Sequence, residues 1–290
     1  MVLKIRWFRG QWLHITMARV VLYVVMIIMV CFTALPLVYL VNTAFKPLDE
    51  LYLYPPTFFV KNPTAQNFGD LLTSLSSSSV PFTRYIFNSV VVTTCIVICT
   101  VIVSSMGAYS LVKLKPPGGE ALFNLILVAL MFSAHVTKIP SYMVVNGLGL
   151  INTYAALILP NIAVAYNIFL MKQFMEQYPT ELLEAARIDG AGELRIFLQM
   201  VMPGLKPATA TLIVFSFVNN WNDYFSPLIY VTSQTMKTLP LALQTISTGS
   251  TSRAGATAAA AFIMTVPTVI IFTIMQGQVM ETMTYSGIKG

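Results

Sequence analysis

Apolar residues run through this chain in blocks long enough to cross a bilayer. A helix needs about 20 mostly apolar residues to span the hydrocarbon core, with its backbone hydrogen bonds satisfied internally. Six stretches meet that requirement: Val20 to Val41, Ile86 to Leu111, Ala121 to Val145, Tyr154 to Met171, Ala208 to Val231 and Ala256 to Gln276. The first stops at the polar pair Asn42-Thr43. The second stops at Lys113, Lys115 and the turn Pro116-Pro117-Gly118-Gly119. The basic flank ahead of the first run resembles a signal peptide, but the run is too long for a signal core, so an uncleaved helix is expected. Six crossings put both termini on one side.

Composition agrees. The 290 residues are 56% hydrophobic and only 10% charged, with a mean hydropathy of +0.74. A soluble domain carries about 25% charged residues, so soluble, disordered and disulfide-scaffold classes are excluded. A net charge of +6 would suggest a nucleic-acid partner in a soluble protein. Here it reflects Lys and Arg gathered in cytoplasmic loops, and no nucleic acid is expected. With the N-terminus inside, 11 of the 17 basic residues fall in cytoplasmic segments, which favours both termini cytoplasmic. Cys31, Cys95 and Cys99 lie within apolar runs and act as small hydrophobes. The expectation is an all-α polytopic membrane protein with six transmembrane helices. A basic N-terminus over residues 1–19 precedes one transmembrane domain, 20–290, with an external loop near 42–83 and a long cytoplasmic loop near 172–206. No internal repeat stands out.

The cytoplasmic loop reads as two short helices with a break between them. Pro179 suits a first helical turn, with the acidic Glu181 near the positive end of the helix dipole. Gly190 and Gly192 offer backbone for a sharp reversal, and Leu194, Phe197 and Leu198 have helical spacing for one apolar face. Pro203 and Pro207 close the second helix. Beside Glu184, the pair Ala185-Ala186 is a small surface that another backbone can approach closely.

The run Glu184-Ala185-Ala186, then Asp189-Gly190-Ala191, then Pro203 resembles the EAA loop of permease subunits in binding-protein-dependent ABC importers. It departs from the family's Ile-x-Leu-Pro, which here is Met200-Val201-Met202-Pro203. Further stretches are similar to sugar permeases of the MalG-like kind: Ile139-Pro140-Ser141-Tyr142, Gly147 to Tyr154, Trp221-Asn222-Asp223-Tyr224 with Pro227-Leu228, Leu239-Pro240-Leu241, and Gly287 to Gly290. The resemblance implies a type I ABC importer permease fold in a bacterial cytoplasmic membrane. It also implies a second homologous permease, two ATPase subunits, an extracytoplasmic solute-binding protein and a sugar substrate. Under it Glu184 is the charged contact to the ATPase and Gly190 the bend between two coupling helices. ATP and Mg belong to the partner ATPases, and this chain is expected to bind no cofactor and catalyse no reaction.

The residues support that reading independently. The chain has no GxxxxGK[ST] loop for ATP phosphates. His14 and His135 are its only histidines, and no grouping has metal-ligand spacing. Of eleven acidic residues, only Asp223 falls plausibly within a span. An ion-coupled carrier generally needs ionisable groups there, so external coupling is favoured. The richest polar stretch inside a span, Asn219-Asn220-Trp221-Asn222-Asp223-Tyr224, has the amides, carboxylate and rings that a hydroxyl-rich solute uses. Equally, these groups suit a role in satisfying broken backbone near Pro227 or in bonding a partner permease. Asn219 and Asp223 share a helix face at i, i+4, and His135 and Lys138 share one at i, i+3. Lys138 also suits snorkelling to the interface. Asn88 and Ser89 are weaker cavity candidates, and Met171 and Phe174 read as packing or lipid-facing groups. The alternatives are the same machinery carrying a solute such as glycerol-phosphate, or an ion-coupled secondary carrier.

Overall fold

The computed structural model describes residues 3–6, 12–15, 17–76, 80–247 and 254–287, with side chains described over 17–73, 80–133, 136–245 and 254–280. A short antiparallel ribbon pairs β1 (Leu3–Arg6) with β2 (Trp12–Ile15), Leu3 opposite Ile15. From Met17 onward the described chain is helical, as expected: α1 (Met17–Ala44), α2 (Leu48–Leu51), α3 (Gln66–Ser76), α4 (Phe82–Tyr109), α5 (Gly119–Leu130), α6 (Ala134–Gly147), α7 (Tyr154–Ile162) and α8 (Ala165–Gln177). Then follow α9 (Thr180–Ile188), α10 (Glu193–Ile196), α11 (Met202–Gly204), α12 (Lys206–Trp221), α13 (Phe225–Tyr230), α14 (Leu239–Ser247) and α15 (Ala254–Gly287).

Three spans are single helices long and apolar enough to cross a membrane: α1, α4 with its π turn to Leu114, and α15 over Ala254–Met280. The others are broken where continuous helices were predicted. α7 and α8 meet at 41° within the predicted fourth span, and the chain bends by 80° between α11 and α12, ahead of the predicted fifth span and where Pro203 and Pro207 were expected to end a helix. Counting each bent pair as one span gives five, and α5 is a shorter apolar helix. The third predicted span divides at Met131–Ser133, where the apolar run gives way to Ser133, His135, Thr137 and Lys138. The fifth divides at Asn222–Tyr224. Pro227 has no N–H to offer the Asp223 carbonyl, and its ring crowds that carbonyl, so α12 cannot run through.

The chain partitions into two compact units, Met1–Leu71 with Ser250–Phe262, and Leu72–Gly249 with Ile263–Gly290. In the first, none of the apolar window of α1 is buried. A helix apolar on every side suits lipid or another chain rather than water. The segment after α1 is ordered around polar groups. Asn67 Nδ2 donates to the carbonyls of Ala44 (2.9 Å) and Lys46 (2.7 Å), and the Phe45, Phe68 and Phe262 rings pack beside it.

In the second unit α4 is the central post, packed by α7, α8 and α12. Its buried face carries Asn88, Ser89, Thr93, Thr100, Ser104, Ser105 and Ala108. Small residues let helix backbones approach closely where no water drives them together. Two apolar clusters result. One joins Val92 and Ile96 to Val145, Ala156, Leu157, Tyr230 and Val231. The other joins Ala108 and Tyr109 to Met171, Met175, Leu183, Ile196, Phe197 and Val201. Met171 is therefore a packing residue, with Phe174 against the same cluster.

A Cβ on Gly255 would lie 2.1 Å from Asn67 Oδ1. Gly255→Ala is expected to displace Asn67 and strip two buried carbonyls of their donor, at about 1–3 kcal/mol for each group left unpaired. The check is the thermal midpoint of the purified protein in detergent, which should fall by a similar amount in Asn67→Leu. An unchanged midpoint in Gly255→Ala would remove Asn67 from this role.

Candidate functional site

The loop near 172–206 folds as two helical pieces about a reversal. α9 begins after Pro179, whose backbone is extended (ψ 128°), so the proline sits one position before the first turn. α9 ends in a Schellman turn: Ala191 N–H donates to Ala186 O (2.9 Å) and Gly190 N–H to Arg187 O (3.0 Å). Asp189 N–H donates to Ala185 O at 3.0 Å. Gly190 has φ +81°, the left-handed conformation that a side chain disfavours. Gly192 at φ −72° makes no such demand. Ala186 and Arg187 thus supply the carbonyls that close the reversal.

Beyond the turn, α10 passes into a π turn, Phe197–Val201, then α11. Pro203 lies within α11 rather than ending it. The break falls at Leu205, because Pro207 cannot donate to the Pro203 carbonyl. The apolar face also differs from the expected one. Ile196, Phe197 and Val201 are buried against the spans, while Leu194 and Leu198 point to solvent. Leu182 and Ile188 join them outside, Ile188 being 86% exposed. Glu184, Ala185, Asp189 and Pro203 are exposed, with Ala186 and Ala191 half-buried.

What fastens this loop to the membrane was not visible from motif spacing. The Glu193 carboxylate is shared by three elements. Tyr109 OH, at the end of α4, donates to Oε2 at 2.6 Å. Arg187 of α9 donates from Nε to Oε1 at 2.7 Å and from Nη2 to Oε2 at 3.3 Å. The Arg187 hydrogen bond, and then that of Tyr109, hold the Glu193 carboxyl below its ordinary value of 4.5 against partial desolvation. Lys113 Nζ adds bonds to Tyr178 O (2.6 Å) and Thr180 Oγ1 (3.1 Å). Tyr178 OH donates to the Met200 carbonyl, at 3.1 Å. Opposite charges flanking a glycine reversal were the only sequence signal for the Arg187–Glu193 pair, and Tyr109 left none. A groove of about 820 Å³ opens beside the loop, lined by Lys113, Lys115, Lys172, Glu176, Glu184 and Arg187 among others.

The polar stretch in the fifth span serves the break in the helix. Asn220 Nδ2 donates to Ser216 O (2.7 Å) and Asn222 Nδ2 to Val218 O (2.8 Å). Asp223 Oδ1 accepts from Phe225 N–H (2.9 Å) and Ser226 N–H (3.1 Å), capping α13. Trp221 is buried, stacks on Phe217 and donates from Nε1 to Met264 O at 3.0 Å. Asn219 and Tyr224 are exposed. Because α12 stops at Trp221, Asn219 and Asp223 do not share a helix face. It is Asn220 and Asp223 that line one cavity, with Ser89, Thr93, Asn161, Ser226 and Thr238. That cavity holds about 10 Å³, space for about one water, so in this conformation the cluster is closed to a sugar. Asn88 bonds Thr235 O, Lys237 O and Tyr154 OH, and Ser89 Oγ accepts from Leu239 N–H. Lys138 Nζ donates to Ser226 Oγ at 2.8 Å. The His135 side chain and residues 288–290 lie outside those described.

Apolar helices of spanning length, several of them broken, define a polytopic membrane protein. Residues 12–280 match the family described as binding-protein-dependent transport system inner membrane component, and the chain belongs to it. It is 31% identical over 255 residues to the arabinooligosaccharides transport system permease protein AraQ of Halalkalibacterium halodurans, covering 88% of this chain and 91% of that one. It is 34% identical over 204 residues to the sn-glycerol-3-phosphate transport system permease protein UgpE of Yersinia enterocolitica, covering 70% and 73%. The fold is that of a solved bacterial ABC transporter involved in the import of the acidic polysaccharide alginate. There the TM-score is 0.76 at 23% identity, over 89% of this chain and 95% of that one.

Glu193 should stabilise the loop only when ionised. Its folded value is lowered, so its contribution is complete above pH 4.5 and disappears as pH falls through that lowered value. Glu193→Gln and Tyr109→Phe should each lower the unfolding free energy at pH 7 by about 1 kcal/mol, discounting a charge-assisted bond for solvent exposure, and the thermal midpoint should fall with it. Their double mutant should be less than additive. The gap between wild type and Glu193→Gln should close as the pH is taken below 4.5, and a pH-independent gap would contradict the assignment.

Proposed function

We propose that this chain is a permease subunit of an ATP-driven importer of sugars or oligosaccharides. In this reading it forms the translocation pathway with a second homologous permease and receives solute from an extracytoplasmic binding protein. It is not itself an enzyme. ATP and Mg are held by two partner ATPase subunits, and ATPase closure is passed to the spans through the loop at 172–206. Both termini are cytoplasmic, six segments cross a bacterial cytoplasmic membrane, and residues 20–290 form one functional domain.

The observation that carries this is the two-sided loop. Its inner face is locked into the cluster of Ile196, Phe197 and Val201, and its outer face exposes Leu182, Ile188, Leu194 and Leu198 around Glu184. An exposed apolar patch rimmed by charge marks a protein interface. Glu184, Ala185, Ala186, Asp189, Gly190, Ala191 and Pro203 are assigned to ATPase coupling. The small Ala185 allows close approach, Gly190 fixes the reversal, and Glu184 is to meet a cation, because an unpaired buried carboxylate is costly. A push on α9 would pass through Arg187 and Glu193 to Tyr109, hence to α4.

Relatives named for arabinooligosaccharides support a sugar cargo. The relative named for glycerol-3-phosphate supports a second reading with the same machinery and another polar solute. For either, the polar stretch Asn219 to Tyr224 is the proposed pathway lining once the 10 Å³ cavity opens. An ion-coupled carrier is less well supported: Asp223, the one acidic residue in the predicted fifth span, already caps α13.

Glu184→Lys should leave membrane insertion intact and abolish both ATPase co-purification and ATP-dependent uptake in proteoliposomes. Ile188→Glu should do the same through the apolar patch. Uptake at the wild-type rate by Glu184→Lys, or gradient-driven uptake by this chain alone without ATP, would overturn the proposal.

A further inference from the structure

The segment that follows α1 is built inside out. Lys46, Glu50 and Asn67 turn inward and are buried. Lys46 Nζ donates to Thr57 O, and Glu50, 8% exposed, accepts from the N–H groups of Lys61 and Asn62 at 3.0 Å each. Asn42 Oδ1 accepts from Val60 N–H at 3.1 Å, and Asn67 is 1% exposed on its two carbonyls. Its apolar side chains turn outward: Tyr54 is 93% exposed, Phe59 67%, and Tyr52 and Leu53 more than half. Water selects the opposite arrangement, burying rings and leaving lysine and glutamate outside.

The rings also fix a depth. Phe58 packs on Tyr39 of α1 with centroids 5.7 Å apart, and Phe59 packs on Phe58 at 5.1 Å. Tyr39 precedes the end of α1 at Ala44 by about 7–8 Å along the axis, from the helical rise. That is where a span leaves the hydrocarbon for the headgroups, the zone in which aromatic side chains concentrate. The α1 surface beside these rings is apolar and exposed all round, so ring cluster and span form one continuous surface.

We propose that Tyr52, Leu53, Tyr54, Phe58 and Phe59 form a collar seated in lipid, at the headgroup–acyl boundary of the leaflet around the C-terminal end of α1. Irregular backbone is tolerated at that depth only when its polar groups are satisfied. Here Lys46, Glu50 and Asn42 serve Thr57 O and the N–H groups of Lys61, Asn62 and Val60. Pro55 and Pro56 have no N–H to leave unpaired. The tyrosine hydroxyls reach headgroups while the rings lie below, and exposed Asp49 and Lys61 mark the aqueous rim. The collar requires that α1 cross a bilayer. It requires neither a particular cargo nor an ATPase, so it stands or falls apart from the function proposed above.

The test uses the full complex in phosphatidylethanolamine–phosphatidylglycerol nanodiscs, with Cys31, Cys95 and Cys99 replaced. A nitroxide is placed through Tyr54→Cys, Phe59→Cys or Lys61→Cys. Power saturation should show several-fold greater collision with oxygen than with a nickel chelate at 54 and 59, and the reverse at 61. Nickel accessibility at 54 and 59 equal to that at 61 would place the segment in water. Shielding from both reagents would place it against another protein. Either result overturns the collar. The wild-type chain provides a second reading: a lipid with a diazirine near its carbonyls should form adducts within 52–59, and adducts confined to α1 would contradict the proposal.

Discussion

One carboxylate, Glu193, joins the α4 span to the loop near 172–206. It accepts the hydroxyl of Tyr109 on one side and the guanidinium of Arg187 on the other. The residues linked are on α4, on the far side of the reversal and on α9, so the loop cannot shift as a body without pulling on the most heavily packed helix of its unit. Apolar burial supports the same connection: Leu183, Ile196, Phe197 and Val201 share a cluster with Tyr109, Met171 and Met175. Burial resists separation whatever the direction. The hydrogen bonds resist sliding, because they are lost over a few tenths of an ångström and a few tens of degrees.

Elsewhere the same constraint appears as unsatisfied backbone. Proline removes a donor at 160, 207 and 227, and each time the helix bends or stops within a few residues. Side chains near these breaks bond the backbone: Asn161 donates to Leu157 O, Asn222 donates to Val218 O, and Asp223 accepts from the first turn of α13. Polar residues in these spans are thus committed first to the chain itself. Their density between 219 and 224 reflects the broken helix as much as any solute.

This division explains what could be read from residues alone. Apolar run length located the single-helix spans α1, α4 and α15 and the bent pair α7–α8, since the cost of crossing a bilayer is set by composition. Continuity was not legible, because a single proline or a short polar stretch decides it and periodicity averages over both. The reversal at Gly190 was legible, since only left-handed backbone closes that turn; Gly192, next door, turned out to be ordinary. The inward face of α10 was misassigned because a π turn shifts the phase after Ile196. Leu198 then faces out where straight helical spacing would put it in, while Leu194, ahead of the π turn, is exposed as well. Tyr109 was hidden because its partner lies 84 positions away. The polar interior after α1 was hidden for a similar reason, since Lys46, Glu50 and Asn67 look like ordinary surface residues until the chain folds back over them.

The cap on α13 links occupancy to shape. Asp223 has spent one oxygen on two backbone donors, and a guest that wanted that oxygen would have to evict them. The first turn of α13 would loosen as the guest arrived, by roughly the 1 kcal/mol that such a cap is worth, and would rewind on departure. Recognition and yielding would then be a single event, read out in the protection of two amide protons.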